Sequence, residues 1–132
     1  MTNDQVLIVE DNQLQGQAFE KLAIKSGVQP HLVRDGREAI EAVMRNPYYA
    51  VIFMDLGLIK MDGLECTRRI RDIELVTFKR LPIIAITARS GEEARQECLD
   101  AGMDDYLCKP FTLEQFQEML TKWRFAVDTQ TC

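Results

Sequence analysis

Five residues of the 132-residue chain carry groups that fit one kind of chemistry: Glu10, Asp11, Asp55, Thr87 and Lys109. Each closes a short apolar run. Glu10-Asp11 follow Val6-Leu-Ile-Val9, Asp55 follows Ala50-Val-Ile-Phe-Met54, Thr87 follows Pro82-Ile-Ile-Ala-Ile86, and Lys109 follows Tyr106-Leu-Cys108. A single acid there would be ordinary, as a helix cap or a solvated loop; the joint pattern is not. If the carboxylates converge, two unit charges 4 Å apart repel by about 4 kcal/mol at an effective dielectric of ~20. Such a group traps a proton, with one pKa raised, or recruits a cation. Hard oxygen ligands with room for water suit Mg²⁺, which takes one or two carboxylates plus phosphate oxygens. A lysine adds positive charge and a threonine adds a hydroxyl donor. Together they describe a phosphoryl site, where catalysis is mainly positioning and charge stabilisation. A carboxylate can itself be the nucleophile and become an acyl phosphate.

The elements that must position these groups follow from the alternation of short apolar runs with longer amphipathic ones, five times over. After Val6–Val9, residues 13 to 26 put Leu14, Ala18, Phe19, Leu22 and Ala23 on one helical face, and Gly27 stops it. His31-Leu-Val33 is a short strand broken by Asp35-Gly36. Ala39, Ile40, Val43 and Met44 mark a second helix, ended by Asn46-Pro47. A third helix begins near Gly63 with Leu64, Thr67 and Ile70 inward. Ser90 is placed to cap the fourth, with Glu92 and Glu93 in its first turn. Thr112 caps a fifth, whose buried stripe is Leu113, Phe116, Leu120 and Trp123. From Val127 the chain turns polar, so one domain over residues 1–126 and a short tail over 127–132 are expected. Strands apolar throughout, separated by helices, imply a parallel sheet covered on both faces. Ligands bind outside the carboxyl ends of such strands, where the five residues lie.

Bulk properties exclude several functions. A formal net charge of −5 disfavours direct nucleic-acid binding, which relies on Lys and Arg to neutralise phosphates. No apolar run approaches the roughly 20 residues that span a bilayer, and the first residues lack a signal-peptide pattern. Cys66, Cys98, Cys108 and Cys132 form no CxxC pair and the only histidine is His31, so no zinc site is indicated. Reduced thiols in a cytoplasmic domain are the expectation. No GxGxxG follows the first strand, which removes a dinucleotide site.

Four segments carry a family resemblance: Val6-Leu-Ile-Val-Glu-Asp-Asn12, Met54-Asp-Leu-Gly-Leu-Ile-Lys-Met-Asp-Gly63, Ile84-Ala-Ile-Thr-Ala88 and Asp104-Asp-Tyr-Leu-Cys-Lys-Pro-Phe111. In order and spacing they resemble the signature of response-regulator receiver domains, over roughly residues 5 to 124. The resemblance implies a flavodoxin-like (βα)5 doubly wound sandwich, with a five-stranded parallel sheet of order 2-1-3-4-5. It implies Asp55 as phosphoacceptor, Mg²⁺ (or Mn²⁺) on Asp11, Asp55 and the backbone carbonyl of Gly57, and Glu10 acting through water. Lys109, the Thr87 hydroxyl and the Ala88 backbone N–H would hold the phosphoryl oxygens. Thr87 and Tyr106 would form the switch that alters the face of the fourth helix, fifth strand and fifth helix.

The same resemblance implies a histidine kinase or histidine phosphotransfer domain as donor, and a downstream protein on the switched face. It implies a monomer or a weak phosphorylation-dependent dimer. The Glu-Asp-Asn opening and the extended stretch Ile73 to Arg80 resemble receivers attached to hybrid sensor histidine kinases, with a single-domain regulator as the alternative. Leu58-Ile59 replaces the family's Met-Pro, so the loop from Gly57 to Lys60 is expected to be more mobile. Arg89, two residues past Thr87, is placed to gate water at the acyl phosphate. Two rival functions are weighed. An aspartate-nucleophile phosphohydrolase would need a second acid where Gly57 stands, and a pseudo-receiver would not need the intact acid trio with Thr87 and Lys109.

Overall fold

The computed structural model describes residues 5–58 and 61–124. Ten elements alternate along them: β1 (Gln5–Val9), α1 (Gln13–Lys25), β2 (Gln29–Val33), α2 (Gly36–Arg45) and β3 (Val51–Asp55), then α3 (Gly63–Thr77), β4 (Ile83–Thr87), α4 (Glu92–Asp100), β5 (Asp105–Cys108) and α5 (Leu113–Arg124). The strands form one sheet of order β2-β1-β3-β4-β5, and every neighbouring pair is parallel. This is the doubly wound sandwich expected from the sequence.

Residues 6–9 of β1, all of β3 and all of β4 are buried, as strands covered on both faces must be. Side chains alternate across the sheet and divide the core in two. Leu7, Val9, Ile52, Met54, Ile83 and Ala85 pack with Val43, Ile70 and Cys98 on the side of α2, α3 and α4. Val6, Ile8, Val51, Phe53, Ile84 and Ile86 pack with Phe19 and Phe116 on the side of α1 and α5. There Phe53 and Phe116 stack with ring centroids 4.8 Å apart.

Several local expectations need correction. Leu14 and Ala18 are exposed, although both were placed on the buried face of α1. The face that packs runs through Gly16, Phe19 and Ala23, spaced three and four apart, and Leu14 and Ala18 occupy an adjoining stripe. Met44 is likewise exposed, one position beyond the buried Ala42-Val43 of α2. Ser90 does not cap α4; Gly91 holds the N-cap position without a side-chain bond, while Glu92 and Glu93 do occupy the first turn. β2 begins at Gln29, since Pro30 is tolerated in an edge strand that has only one partner. α3 continues to Thr77, so the first part of Ile73–Arg80 is helical and ends at Phe78, whose φ of 58° is left-handed. Thr112 does cap α5, its hydroxyl accepting from the Gln115 N–H at 3.1 Å. Ile59 and Lys60 of the loop and the tail from residue 127, with Cys132, lie outside the described residues.

Candidate functional site at the carboxyl ends of the strands

β1, β3, β4 and β5 deliver their terminal residues to one cleft of about 560 Å³, where Glu10, Asp11, Asp55, Thr87, Ala88 and Lys109 all meet, with Gly57 and Arg89 beside them. Two local features shape its walls. Asn12 caps α1 by accepting the Gln15 N–H at 2.9 Å, which sets the first turn of that helix beside Glu10 and Asp11. Gly63 opens α3 directly under the acceptor loop. A Cβ at that position would stand 2.6 Å from the Asp55 carbonyl oxygen and 2.9 Å from the Leu56 Cα, so only glycine allows this approach.

One carboxylate oxygen each from Glu10, Asp11 and Asp55 lies within 4.8 Å of the others. Glu10 and Asp55 are buried, whereas Asp11 is half-exposed. Burial, together with a hydrogen bond to Asp55 and that residue's charge, pushes the Glu10 carboxyl up to about 7; the Lys109 ammonium opposes the shift. The raised Glu10 carboxyl is the electrostatic cost of placing acids this close together, a cost that a cation among them would lower. The donor set is all oxygen, in an open cleft with room for water and further oxygens. It fits a hard divalent ion of the Mg²⁺ type.

Lys109 bridges the acids. Its Nζ is 3.1 Å from Glu10 Oε1 and 3.5 Å from Asp55 Oδ2. Gly57 donates its N–H to Asp55 Oδ1 at 2.9 Å, which orients the carboxylate. Thr87 is buried at the end of β4, and its hydroxyl accepts the Arg89 N–H at 3.0 Å, which leaves the O–H to donate. Ala88 is exposed at the rim. The Arg89 guanidinium is engaged by Glu97 of α4, at 2.9 Å and 3.4 Å, so it stands at the cleft wall and is tied to α4. Tyr106 is half-buried and packs on the α3–α4 side of the core. It pairs in register with Ala85, and Cys108 pairs with Thr87, so Tyr106 and Thr87 lie on one face of the sheet.

Every residue singled out for the site is therefore brought to it or to its edge. One polar partner went unnoticed in the sequence: Gln15, whose side-chain oxygen is 2.6 Å from Lys109 Nζ. The cue was its place three residues after the Asn12 cap, in the helical turn that faces the strand ends.

The family model described as the response regulator receiver domain matches residues 6–121. Among curated proteins, the chain is 36% identical over 118 residues to hybrid signal transduction histidine kinase A of Dictyostelium discoideum, covering 89% of this chain and 6% of that protein. It is 36% identical over 119 residues to response regulator MprA of Mycolicibacterium vanbaalenii, covering 90% of this chain and 48% of that one. The chain thus spans only a small part of the hybrid kinases it matches. Among solved structures, it resembles the receiver domain of sensor histidine kinase PA1611 from Pseudomonas aeruginosa PAO1, with 38% identity, a TM-score of 0.84 and coverage of 95% and 100% of the two chains. That structure has a magnesium ion coordinated in its active site cleft. A co-crystal of the Saccharomyces cerevisiae phosphotransfer protein Ypd1 with the receiver domain of Ssk1 matches at 30% identity and TM-score 0.84, covering 92% and 89%.

Proposed function

The chain belongs to the response regulator receiver family, and from that premise we propose that Asp55 accepts a phosphoryl group from a phosphohistidine in a step that needs Mg²⁺. The observation that carries this is the convergence of three carboxylates within 4.8 Å, with the Lys109 ammonium 3.5 Å from Asp55 Oδ2. Mg²⁺ (or Mn²⁺ in its place) would be held by Asp11, Asp55 and the Gly57 carbonyl, with Glu10 acting through water. It would supply positive charge against the repulsion of anionic nucleophile and anionic donor.

The protein's own groups do the rest. Asp55 is oriented by the Gly57 N–H, so that its outer oxygen can attack phosphorus while the phosphorus–nitrogen bond of the donor imidazole breaks. The electron pair of that bond returns to the donor nitrogen, and the imidazole, protonated on its other ring nitrogen, leaves neutral. Lys109, the Thr87 hydroxyl and the Ala88 N–H receive the three phosphoryl oxygens. When Thr87 turns to the phosphate, Arg89 N–H loses its acceptor and Tyr106, on the same face, is free to follow. The consequence is a changed α4–β5–α5 face for a downstream protein.

The isolated domain is a phosphoacceptor and not an independent enzyme. Gly57 occupies the position where a hydrolase would carry its second acid. Identity to hybrid kinases supports a receiver that works as one part of such a protein, fed by a histidine kinase or a histidine phosphotransfer protein; a monomer, or a weak dimer once phosphorylated, belongs to the same proposal. The free thiols of Cys66, Cys98 and Cys108 support a cytoplasmic setting. The test is transfer from a phosphorylated histidine phosphotransfer protein. Label should move to the native chain with Mg²⁺ and not to Asp55→Asn; retention on the donor in both would refute the proposal.

A further inference from the structure

A lysine ammonium is a point charge with three donors on a flexible stem, so its partners alone decide where it points. Two partners of Lys109 are within hydrogen-bond range: Gln15 Oε1 at 2.6 Å and Glu10 Oε1 at 3.1 Å. Asp55 Oδ2, at 3.5 Å, lies beyond good hydrogen-bond geometry. Two of the three donors are thus taken, and the third is left over with Asp55 Oδ2 3.5 Å away.

We propose that Gln15 is a positioning residue for phosphoryl acceptance: with Glu10 it clamps the Lys109 ammonium so that the remaining donor meets the phosphoryl oxygen arriving on Asp55. This rests on Asp55 being the acceptor. Gln15 is itself fixed from two sides, by its backbone N–H on Asn12 Oδ1 and by its side-chain oxygen on Lys109. Asn12 in turn donates its N–H to Glu10 Oε2 at 3.3 Å, while Glu10 Oε1 takes Lys109. The Glu10 carboxylate, the first turn of α1 and the lysine of β5's end thus form one closed chain of hydrogen bonds. Its chemistry suits the place. A neutral amide oxygen holds the ammonium without adding a further negative charge to the acids of the cleft.

The test uses the full chain as native protein, Gln15→Met (similar length, no amide oxygen) and Gln15→Glu (oxygen retained). Hydrogen exchange of the Lys109 ammonium is followed by NMR, Mg²⁺ affinity by titration, and acceptance by the rate of Asp55 phosphorylation from acetyl phosphate. In Gln15→Met the ammonium should exchange several-fold faster and phosphorylation should slow roughly tenfold, the loss expected for one charge-assisted hydrogen bond. Mg²⁺ affinity and melting temperature should not move, because Gln15 ligates nothing, and Gln15→Glu should keep the slow exchange. Unchanged exchange in Gln15→Met, or a phosphorylation rate equal to native, overturns the proposal alone. A native chain that takes up no phosphoryl group overturns the acceptor assignment and this proposal together, before any variant is compared.

Discussion

Lys109 lies closer to Glu10 than to Asp55, with its Nζ 3.1 Å from Glu10 Oε1 and 3.5 Å from Asp55 Oδ2. The lysine therefore rests on a neighbour of the acceptor, within reach of a phosphoryl oxygen added to Asp55. Lys109→Ala should leave Mg²⁺ binding in place, since an ammonium repels the ion, yet abolish most of the conformational response to phosphorylation. Comparing NMR shift changes at Tyr106 on adding Mg²⁺ and then acetyl phosphate checks both halves. A full response in Lys109→Ala would contradict the role.

Glu10 makes the domain sensitive to pH when metal is absent. Its native carboxyl holds a proton up to about 7, against 4.5 for an ordinary glutamate. The native state thus binds more protons than the unfolded one across that window. The resulting stability is complete below the lower value and is lost as pH rises through the upper one. The metal-free protein should melt at a lower temperature at pH 8 than at about pH 5, Glu10→Gln should flatten that slope, and Mg²⁺ should raise the melting temperature most on the alkaline side. Thermal melts by circular dichroism read all three; a metal-free melting temperature that rises from pH 5 to 8 would contradict the Glu10 assignment.

Arg71 should be the most costly surface-proximal cation to lose. Its guanidinium reaches the Gly102 carbonyl, Glu74, the Leu81 carbonyl and Asp104 at 2.7–2.9 Å, tying α3 to the start of β4 and the turn before β5. Only 14% of its side chain is exposed, and removing it leaves Glu74 and Asp104 with the exposed Arg80 as their remaining cation, at 4.0 Å and 2.6 Å. Arg71→Ala should lower unfolding stability by about 3 kcal/mol in urea titration, the usual cost of breaking a buried pair from one side. A loss under about 1 kcal/mol would show the pair to be effectively solvated.

Arg89 stands at the cleft with its guanidinium drawn to Glu97. Arg89→Ala should shorten the lifetime of the acyl phosphate several-fold by opening the wall to water, and Glu97→Gln, which frees the guanidinium for the phosphate, should lengthen it. Dephosphorylation half-lives measure both, and equal values in all three proteins would remove the gating role.

The order of chemical groups along the chain was sufficient to place the site, because each lies next to a run of residues such as Ile83–Ile86 that can only be a buried strand. What escaped was set by rotation and reach. The packing stripe of α1 follows Phe19 and Ala23 and leaves Leu14 outside, a difference of angle that apolar composition does not encode. Gln15 and Lys109 are 94 residues apart, and only the fold makes them a pair. The Arg71 cluster was missed for the same reason, since Arg71 and Asp104 meet only where α3 and β5 share the lower end of the sheet.

The central claim is that Asp55 is the acceptor and that the acids around it serve it through a metal. Intact-mass measurement after incubation with acetyl phosphate tests this most directly. One phosphoryl adduct should form in the native chain with Mg²⁺, disappear with a chelator, and be absent in Asp55→Asn. An adduct of equal size in Asp55→Asn, or none in the native chain with Mg²⁺, would contradict it.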